Sequence, residues 1–273
     1  MENKSKVDFE VLISTMNRTS LDFLYYMFQH NDLSKTRVLI INQTIKGKEL
    51  MSTLENVRVF NVLDKGISKS RNLAIANAVG EICLIADDDE VFVKGFKEVV
   101  LNTFHENKKV TLVRFKIETF EGDPFKNYSK LDTKKINVLD ILSTSSIEVA
   151  FKRREVVNKK IIFNERFGLG AEFKMGEEQL FLNKIKESGL NMIYKADTIA
   201  FHNKMSTINK TTVKDKYLAQ GAVCYKLFPK TMWFWIVLKL FFDLKQNKLK
   251  FKQINKAIQY SKQGKNKLLN LSN

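Results

Sequence analysis

Short apolar segments alternate with helical segments over residues 9–86, and no other feature of the sequence constrains the fold more. The apolar segments are residues 9–13, 37–41, 57–62 and 82–86. Their β-branched and aromatic side chains indicate buried strands. Residues 21–28 have helical spacing, and residues 69–79 form a second predicted helix, which Ser68 caps and Gly80 ends. This order requires parallel crossovers, so we predict an open, mostly parallel α/β sheet flanked by helices.

The second half of the chain shows a less regular pattern. Its predicted strands are residues 112–117, 147–151, 192–194 and 199–201. Residues 177–187 have helical spacing, and the chain beyond His202 is helical to its end. In open α/β sheets, ligands gather beyond the carboxyl ends of the strands, where the polar clusters of this chain also lie. We therefore expect the functional site at that edge.

Three consecutive acids, Asp87, Asp88 and Asp89, directly follow the fourth predicted strand. Like charges this close repel one another, and a divalent cation among them would remove the repulsion. Oxygen ligands suit Mg²⁺ or Mn²⁺, and Mg²⁺ often shares its coordination shell with substrate phosphates. The alternative is a solvated turn whose acids cap the next segment. The triplet alone leaves both interpretations open.

Two segments, read together, resemble the donor half of the family 2 glycosyltransferases. Residues 65–74 read Lys-Gly-Ile-Ser-Lys-Ser-Arg-Asn-Leu-Ala, and residues 80–89 read Gly-Glu-Ile-Cys-Leu-Ile-Ala-Asp-Asp-Asp. The family usually has a glycine, Ala/Ser-Arg-Asn, an apolar helix, Gly-Glu, an apolar strand and then Asp-x-Asp. The resemblance implies a GT-A-type nucleotide-sugar-binding fold over about residues 7–205 and a nucleoside diphosphate sugar as the donor.

The same resemblance implies roles for individual residues. The exit of the first strand would contact the nucleoside, Arg71 the base or the diphosphate, and Asp87 the ribose. The metal, Mn²⁺ or Mg²⁺, would be held by Asp89, Asp87 and His202. The residues expected at the donor are Ser14, Thr15, Asn17, Arg18, Asn42, Lys65, Arg71, Asp87 and Asp88.

Some of these expectations have plainer alternatives. Arg71 could be an ordinary surface cation on an amphipathic helix, and His202 could be a structural histidine. At the end of the second strand the family often has an acid against the nucleobase, whereas this chain has Asn42 and Gln43. The sequence therefore leaves the identity of the base open.

A second acidic site is indicated by residues 167–171 and 176–182. They read Phe-Gly-Leu-Gly-Ala and Gly-Glu-Glu-Gln-Leu-Phe-Leu, which resembles the family's acceptor segment, a glycine-containing loop followed by Gly-Glu-Asp and an apolar helix. The resemblance implies that Glu178 removes the proton of the acceptor hydroxyl, with inversion at the anomeric carbon. Glu177 beside it would raise its proton affinity. The alternative is that both acids stabilise a helix start.

Charge divides the chain into two parts. The formal net charge is +16, and residues 203–273 hold 15 Lys against Asp215 and Asp243, so most of the positive charge lies there. Two cysteines are too few for a disulfide framework, and no signal-peptide core follows the N-terminus, so we expect a cytoplasmic protein. The predicted units are residues 1–205, a catalytic domain with a donor half of about 7–110 and an acceptor half of about 111–205, and residues 206–273, a helical, basic C-terminal appendage.

Residues 233–242 form a dense apolar run that Lys239 interrupts. The run is too short to span a bilayer, which takes about 20 apolar residues. With the lysines that follow, residues 231–256 are typical of an interfacial helix on an anionic membrane surface. At the inner face of the plasma membrane such a helix would meet a lipid-linked acceptor. The alternative is a core helix that packs against the α/β domain.

Other functions fit the sequence less well. Nucleic acid is excluded as a partner because no helix-turn-helix, zinc or RNA-binding signature accompanies the lysines. A sugar nucleotidyltransferase usually has a glycine-rich loop after its first strand, and residues 14–20 contain no glycine. A catalytically inactive membrane- or polyanion-binding module is the other alternative. We expect transfer to a saccharide or lipid-linked saccharide, in cell-surface polysaccharide assembly.

Overall fold

Four parallel strands form the first half of the sheet in the computed structural model, which describes residues 8–203 and 211–271. They are β1 (Phe9–Met16), β2 (Arg37–Gln43), β3 (Val57–Val62) and β4 (Ile82–Asp87), in the spatial order β3-β2-β1-β4. The connecting helices are α1 (Asp22–Met27) and α2 (Ile67–Asn77). The predicted α/β fold is confirmed, and the carboxyl ends of β1, β2 and β4 meet at one edge.

The second half of the sheet mixes parallel and antiparallel pairing. Its strands are β5 (Val91–Phe92), β6 (Val110–Glu118), β7 (Thr133–Lys135), β8 (Val149–Lys152) and β9 (Asn191–Phe201). Strand β8 lies antiparallel between β4 and β6, and β9 runs parallel to β6. The prediction of two short strands at residues 192–194 and 199–201 is wrong. Register shifts in the pairing with β6 absorb the intervening residues, so that β9 continues through both.

Side chains that alternate along the strands fill a core on each face of the sheet. The helices that cover these faces are α3 (Phe96–Glu106), α4 (Val138–Ser143), α5 (Arg153–Asn158) and α6 (Glu177–Glu187). Val11 and Ile13 of β1 belong to one apolar cluster with Phe96. Leu12 points the other way and shares a cluster with Phe181 of α6. Each large side chain buried in this way contributes about 1.5–3 kcal/mol to the free energy of folding. The alternation of side chains along β1 therefore determines which face of the sheet packs against α3 and which packs against α6.

Helix α2 begins two residues before its predicted start, at Ile67, directly after Gly66. The backbone of Gly66 has φ 132°, a conformation that favours glycine. Ser68, predicted as the N-cap, instead donates its hydroxyl to the carbonyl of Phe167 at 2.6 Å. A contact with the second half of the chain thus replaces local capping, and Arg71 falls in the second turn of the helix instead of the first.

The chain is largely helical over residues 211–271, as predicted, while the predicted boundary at residues 205/206 lies outside the described residues. Its described helices are α7 (Val213–Leu227), α8 (Met232–Lys245) and α9 (Ile254–Asn270). Ala219 and Val223 of α7 share an apolar cluster with Phe167 and Phe173 from the loop before α6. Within the described ranges, no helix is both long enough and apolar enough to cross a membrane.

Two glycines bring the backbones of α7 and α9 into direct contact. A Cβ atom at Gly221 would lie 2.0 Å from the carbonyl oxygen of Ser261, and one at Gly264 would lie 1.9 Å from that of Leu218. No side chain fits at either position, so this crossing requires glycine on both helices.

We predict that Gly221→Ala destabilises the protein. Alanine favours a helix over glycine by about 1 kcal/mol, but here its Cβ would overlap the Ser261 carbonyl and separate the helices. The expected net loss is about 1–3 kcal/mol in the free energy of unfolding, measured by urea denaturation. Lys262→Ala, on the exposed side of α9, is the control and should leave the midpoint unchanged. A midpoint for Gly221→Ala at or above that of the wild type would contradict the prediction.

Candidate active site

A pocket of about 340 Å³ opens at the carboxyl ends of β1, β2 and β4. It is the place where the sequence predicted a site. The predicted residues that line it are Ser14, Thr15, Arg71, Asp87, Asp88, Asp89, Glu177, Glu178 and His202. Four other predicted donor residues, Asn17, Arg18, Asn42 and Lys65, do not line it. The residues proposed for donor, metal and acceptor therefore share one cavity, although they come from distant parts of the sequence.

Arg71 lies at the centre of the pocket wall, with its side chain only 5% exposed. Its Nη1 donates to Oε1 of Glu177 and Oε1 of Glu178, each at 3.3 Å. Its Nη2 donates to Asp87 at 3.4 Å and to the hydroxyl of Ser146 at 2.7 Å. Arg71 is thus not a surface cation, and one guanidinium joins the predicted donor acid to both predicted acceptor acids.

Glu177 and Glu178, the predicted acceptor acids, occupy the first turn of α6, directly after Gly176. Gly176 has φ 109°, and a Cβ there would lie 2.3 Å from a methyl of Val223, so only glycine allows this close approach of α7. Glu177 is buried, and one of its oxygens has no hydrogen-bond partner among the described residues. Glu178 faces the pocket. These acids lie at a helix start, as the alternative interpretation required, but their side chains also contact Arg71.

Burial raises the pKa of Glu177 to about 8, and the neighbouring charge of Glu178 adds to this shift, whereas Arg71 opposes it. A carboxyl group with this pKa is largely protonated at neutral pH. Pairs of acids whose surroundings differ in this way often divide acid and base roles between them. Glu178, the more exposed acid of the pair, lines the cavity beside it.

The three consecutive acids of the triplet turn to three different partners. Asp87 contacts Arg71, and Asp88 accepts hydrogen bonds from the Thr15 hydroxyl and from Nε of Arg18, the latter at 2.7 Å. Oδ1 of Asp89 lies 3.2 Å from Nε2 of His202. Burial raises the pKa of Asp87 despite Arg71, while a hydrogen bond to His202 lowers the pKa of Asp89. Asp88, to which the sequence assigns no distinct role, fixes Thr15 and Arg18 at the exit of β1.

Asp89 and His202 place a carboxylate oxygen and an imidazole nitrogen side by side, and both are atom types that bind divalent cations. Nδ1 of His202 lies 2.8 Å from the carbonyl oxygen of Asn203. Nδ1 donates to that carbonyl, so Nε2 faces the Asp89 carboxylate. A proton on Nε2 gives the hydrogen bond to Asp89, and a divalent cation between the two groups would take the place of that proton. In residues 8–203 and 211–271, no three His, Cys, Asp or Glu side chains form a metal-binding group. A divalent ion here would complete its shell with donor phosphates, as Mg²⁺ commonly does.

The side chain of Asn42 forms hydrogen bonds within the protein and does not line the pocket. Its amide donates to the Arg18 carbonyl at 3.0 Å and to Asn61 at 2.9 Å, and its oxygen accepts from the Arg18 amide at 3.2 Å. Its neighbour Gln43 lines the pocket instead, with Oε1 held by the amide of Gly66 at 2.7 Å. Side chains alternate along β2, so only one of this adjacent pair reaches the cavity.

Two functional candidates escaped the sequence analysis. Ser146, which binds Arg71, lies directly before the predicted strand 147–151, and no motif in the sequence marks it as a site residue. Glu90 is 1% exposed, and neither of its carboxylate oxygens has a hydrogen-bond partner among the described residues. Burial and the charges of Asp87 and Asp89 raise the pKa of Glu90 well above its usual value. Its position directly after the triplet was the signal available in the sequence.

The glycine loop before α6 lies directly on the turn that starts α2. The amide of Ile67 donates to the carbonyl of Leu169 at 2.9 Å. A Cβ on Gly170 would lie 3.1 Å from the backbone of Gly66, and Gly170 itself has φ 84°. The glycine loop thereby covers the turn that contains Lys65, and these backbone contacts hold the two halves of the pocket together.

A family model supports the interpretation drawn from this geometry. The model described as Glycosyl transferase family 2 matches residues 28–169, which is more than half of the chain. The chain belongs to glycosyl transferase family 2. The match confirms the family that the sequence motifs predicted. No curated protein matches the chain.

Crystal structures of TarS from S. aureus have the same fold as this family 2 member. The structure of TarS 1–349 in complex with UDP-GlcNAc matches with a TM-score of 0.60 at 17% identity, over 80% of this chain and 66% of that one. The complex of TarS 1–349 with UDP gives 0.54 at 18% identity, over 80% and 64%. TarS itself gives 0.56 at 17% identity, over 81% and 39%. This chain thus spans less than two thirds of the length of these relatives.

We predict that Glu177→Gln gains stability relative to the wild type as the pH rises. A carboxyl whose pKa is about 8 in the folded protein and about 4.3 when unfolded favours folding below the lower value. That contribution is lost as the pH rises towards 8, and the neutral amide of the variant does not lose it. The difference in the free energy of unfolding should grow by up to about 1.4 kcal/mol per pH unit.

Urea denaturation at about pH 5 and about pH 8 measures this change. Glu187→Gln, at the exposed end of the same helix, is the matched control and should differ from the wild type equally at both pH values. A pH-independent difference for Glu177→Gln would show that Glu177 does not titrate in this range.

Proposed function

We propose that the protein transfers a sugar, with inversion, from a nucleoside diphosphate sugar to a hydroxyl of a saccharide or lipid-linked saccharide. The observation that carries this proposal is the Arg71 network, which joins Asp87 on the donor side to Glu177 and Glu178 on the acceptor side of one pocket. The fold shared with TarS, which was crystallised with UDP-GlcNAc and with UDP, supports a nucleotide-sugar donor. Cell-surface polysaccharide assembly is the process we propose for it.

The donor would lie along the ends of β1 and β4. Thr15, held by Asp88, and Ser14 would contact the nucleoside, and Asp87 the ribose. Asp89 and His202, with Asp87 beside them, would hold Mn²⁺ or Mg²⁺, which when bound neutralises charge on the departing diphosphate. Arg71 supplies a fixed positive charge from the protein itself, in a buried setting where such a charge is most effective.

Glu178 would act as the general base. Its carboxylate faces the pocket, and its contact with Arg71 at 3.3 Å holds it in place. The buried Glu177 behind it is largely protonated at neutral pH, so that no second full negative charge opposes the approach of the sugar donor. Glu178 would take the proton of the acceptor hydroxyl as its oxygen bonds to the anomeric carbon from the side opposite to the diphosphate. The bond from that carbon to the diphosphate breaks in the same step, which gives inversion.

We also propose that the enzyme works in the cytoplasm, at the inner face of the plasma membrane. The basic C-terminal region supports this, because residues 203–273 hold 15 Lys against two acids. A lipid-linked acceptor would then reach the enzyme by lateral diffusion in the membrane.

We predict that Glu178→Gln retains donor binding and loses transfer. The amide keeps the size of the side chain but cannot take a proton, and loss of a general base lowers kcat by about 10²–10⁴-fold. Thermal stabilisation by nucleotide sugars measures donor binding, and release of the nucleoside diphosphate in the presence of saccharide acceptors measures transfer. Glu187→Gln is the control and should behave as the wild type. Unchanged transfer by Glu178→Gln would remove it as the base.

We predict that Asp89→Ala abolishes stabilisation by the donor together with Mn²⁺ and lowers transfer by at least about 10²-fold. The experiment is a panel of nucleotide sugars with Mn²⁺ or with a chelator, read as thermal stabilisation and as turnover. Asp132→Ala is the control. It removes an exposed acid that does not line the pocket, and it should leave both readings unchanged. A wild-type protein that no nucleotide sugar stabilises, with or without metal, would contradict the proposed function.

A further inference from the structure

Helix α8 has two apolar sides, and only one of them is covered. The covered side consists of Met232, Ile236 and Leu240, four residues apart, followed by Asp243. The three apolar residues share a cluster with residues of α7 and α9. The opposite side of such a helix normally carries polar residues when it faces water.

Asp243 determines which side of α8 faces outward. Its carboxylate is 1% exposed and accepts hydrogen bonds from the hydroxyl of Tyr217 at 2.8 Å and from Nζ of Lys239 at 2.5 Å. Nζ of Lys216 lies 2.7 Å away. Rotation of the helix would separate this buried carboxylate from Tyr217 and Lys216 of α7, which is strongly unfavourable. The apolar outer side therefore cannot turn inward.

We call this uncovered side the α8 outer face, and it consists of Phe234, Val237 and Phe241. These side chains are 63%, 61% and 58% exposed. Their spacing places them in one stripe along the helix. Phe251, in the segment after α8, is 79% exposed.

The charge around the α8 outer face is positive. Residues 230–256 contain seven Lys and a single acid, Asp243, which is buried against α7. The exposed lysines of this segment are Lys230, Lys245, Lys248, Lys250, Lys252 and Lys256. A partner of this surface must accept aromatic side chains and carry negative charge.

We propose that the α8 outer face docks on an anionic lipid bilayer, with α8 lying in the plane of the membrane surface. The helix has 14 residues, about 21 Å in length, whereas a hydrocarbon core is about 30 Å thick. Aromatic side chains of an interfacial helix enter the headgroup boundary, and lysines meet the anionic lipids. A second copy of the chain fits less well, because a two-fold interface would place the same lysines opposite one another.

Docking would involve the acceptor side of the pocket directly. Helix α7, which anchors α8, also packs through Val223 against Gly176, where the helix with Glu178 begins. Asp215, near the start of α7, accepts from Lys174 of the acceptor loop at 3.0 Å. The choice of a lipid-linked acceptor rests on the proposed function. Docking through α8 would place the membrane contact in the same unit that holds the proposed base, Glu178.

The test is co-sedimentation of the full chain with vesicles of phosphatidylglycerol and phosphatidylcholine, compared with vesicles of phosphatidylcholine alone. The wild type should bind the anionic vesicles at least about tenfold more strongly, and the difference should shrink as salt is added. Phe234→Gln with Phe241→Gln should weaken binding at least about tenfold. Lys245→Gln and Lys250→Gln should each weaken it about fivefold.

Leu131→Gln with Ile162→Gln is the matched control, since both side chains are similarly exposed but lie outside the C-terminal region. It should bind vesicles as the wild type does, and all variants should keep the wild-type unfolding temperature. Equal binding to both vesicle types, or unchanged binding by the Phe234 and Phe241 variant, would overturn the proposal. So would a concentration-dependent dimer that this variant abolishes.

Donor stabilisation measured on the same proteins separates this inference from the proposed function. Vesicle binding without any donor stabilisation would leave the membrane surface standing and remove the transferase proposal. Donor stabilisation without vesicle binding would do the reverse.

Discussion

The buried guanidinium of Arg71 is the interaction on which the rest of the pocket depends. Removing a charge from water is costly, and three carboxylates and a hydroxyl offset that cost here. Loss of one partner of a buried pair typically costs about 3–5 kcal/mol. Because these partners come from β4, from α6 and from the segment before β8, the pocket forms only when both halves of the chain have assembled around α2.

Local patterns were enough to predict the first four strands, the helix that carries the acceptor acids and the edge where the pocket opens. They failed where a side chain serves a distant partner. Ser68 donates a hydrogen bond to the carbonyl of Phe167 instead of capping its own helix. The side chain of Asn42 forms its hydrogen bonds with Arg18 and Asn61 instead of facing the pocket. A single sequence contains no signal for such contacts, since the same residues in another fold would cap helices or face solvent.

The fold reduces the repulsion among the three acids Asp87, Asp88 and Asp89 by giving each of them a different partner. Three adjacent carboxylates suggested a cation among them, yet the protein meets most of their charge with its own groups, Arg71 for Asp87 and Arg18 for Asp88. Among the three acids, only Asp89 has no arginine partner within the described residues, so a metal ion would mainly neutralise Asp89, beside His202. A strand terminus can thus carry several acids when each turns to a different element.

The cluster that joins Phe167 and Phe173 to α7 and α9 bears on how this protein can change over evolutionary time. A chain without these helices would leave two rings beside the acceptor loop facing water, at about 1.5–3 kcal/mol each. Recombination that exchanges the C-terminal helices between relatives must therefore also exchange the loop before α6 that packs against them. The loop that leads to Glu177 and Glu178 and the helices that pack on it are then inherited together.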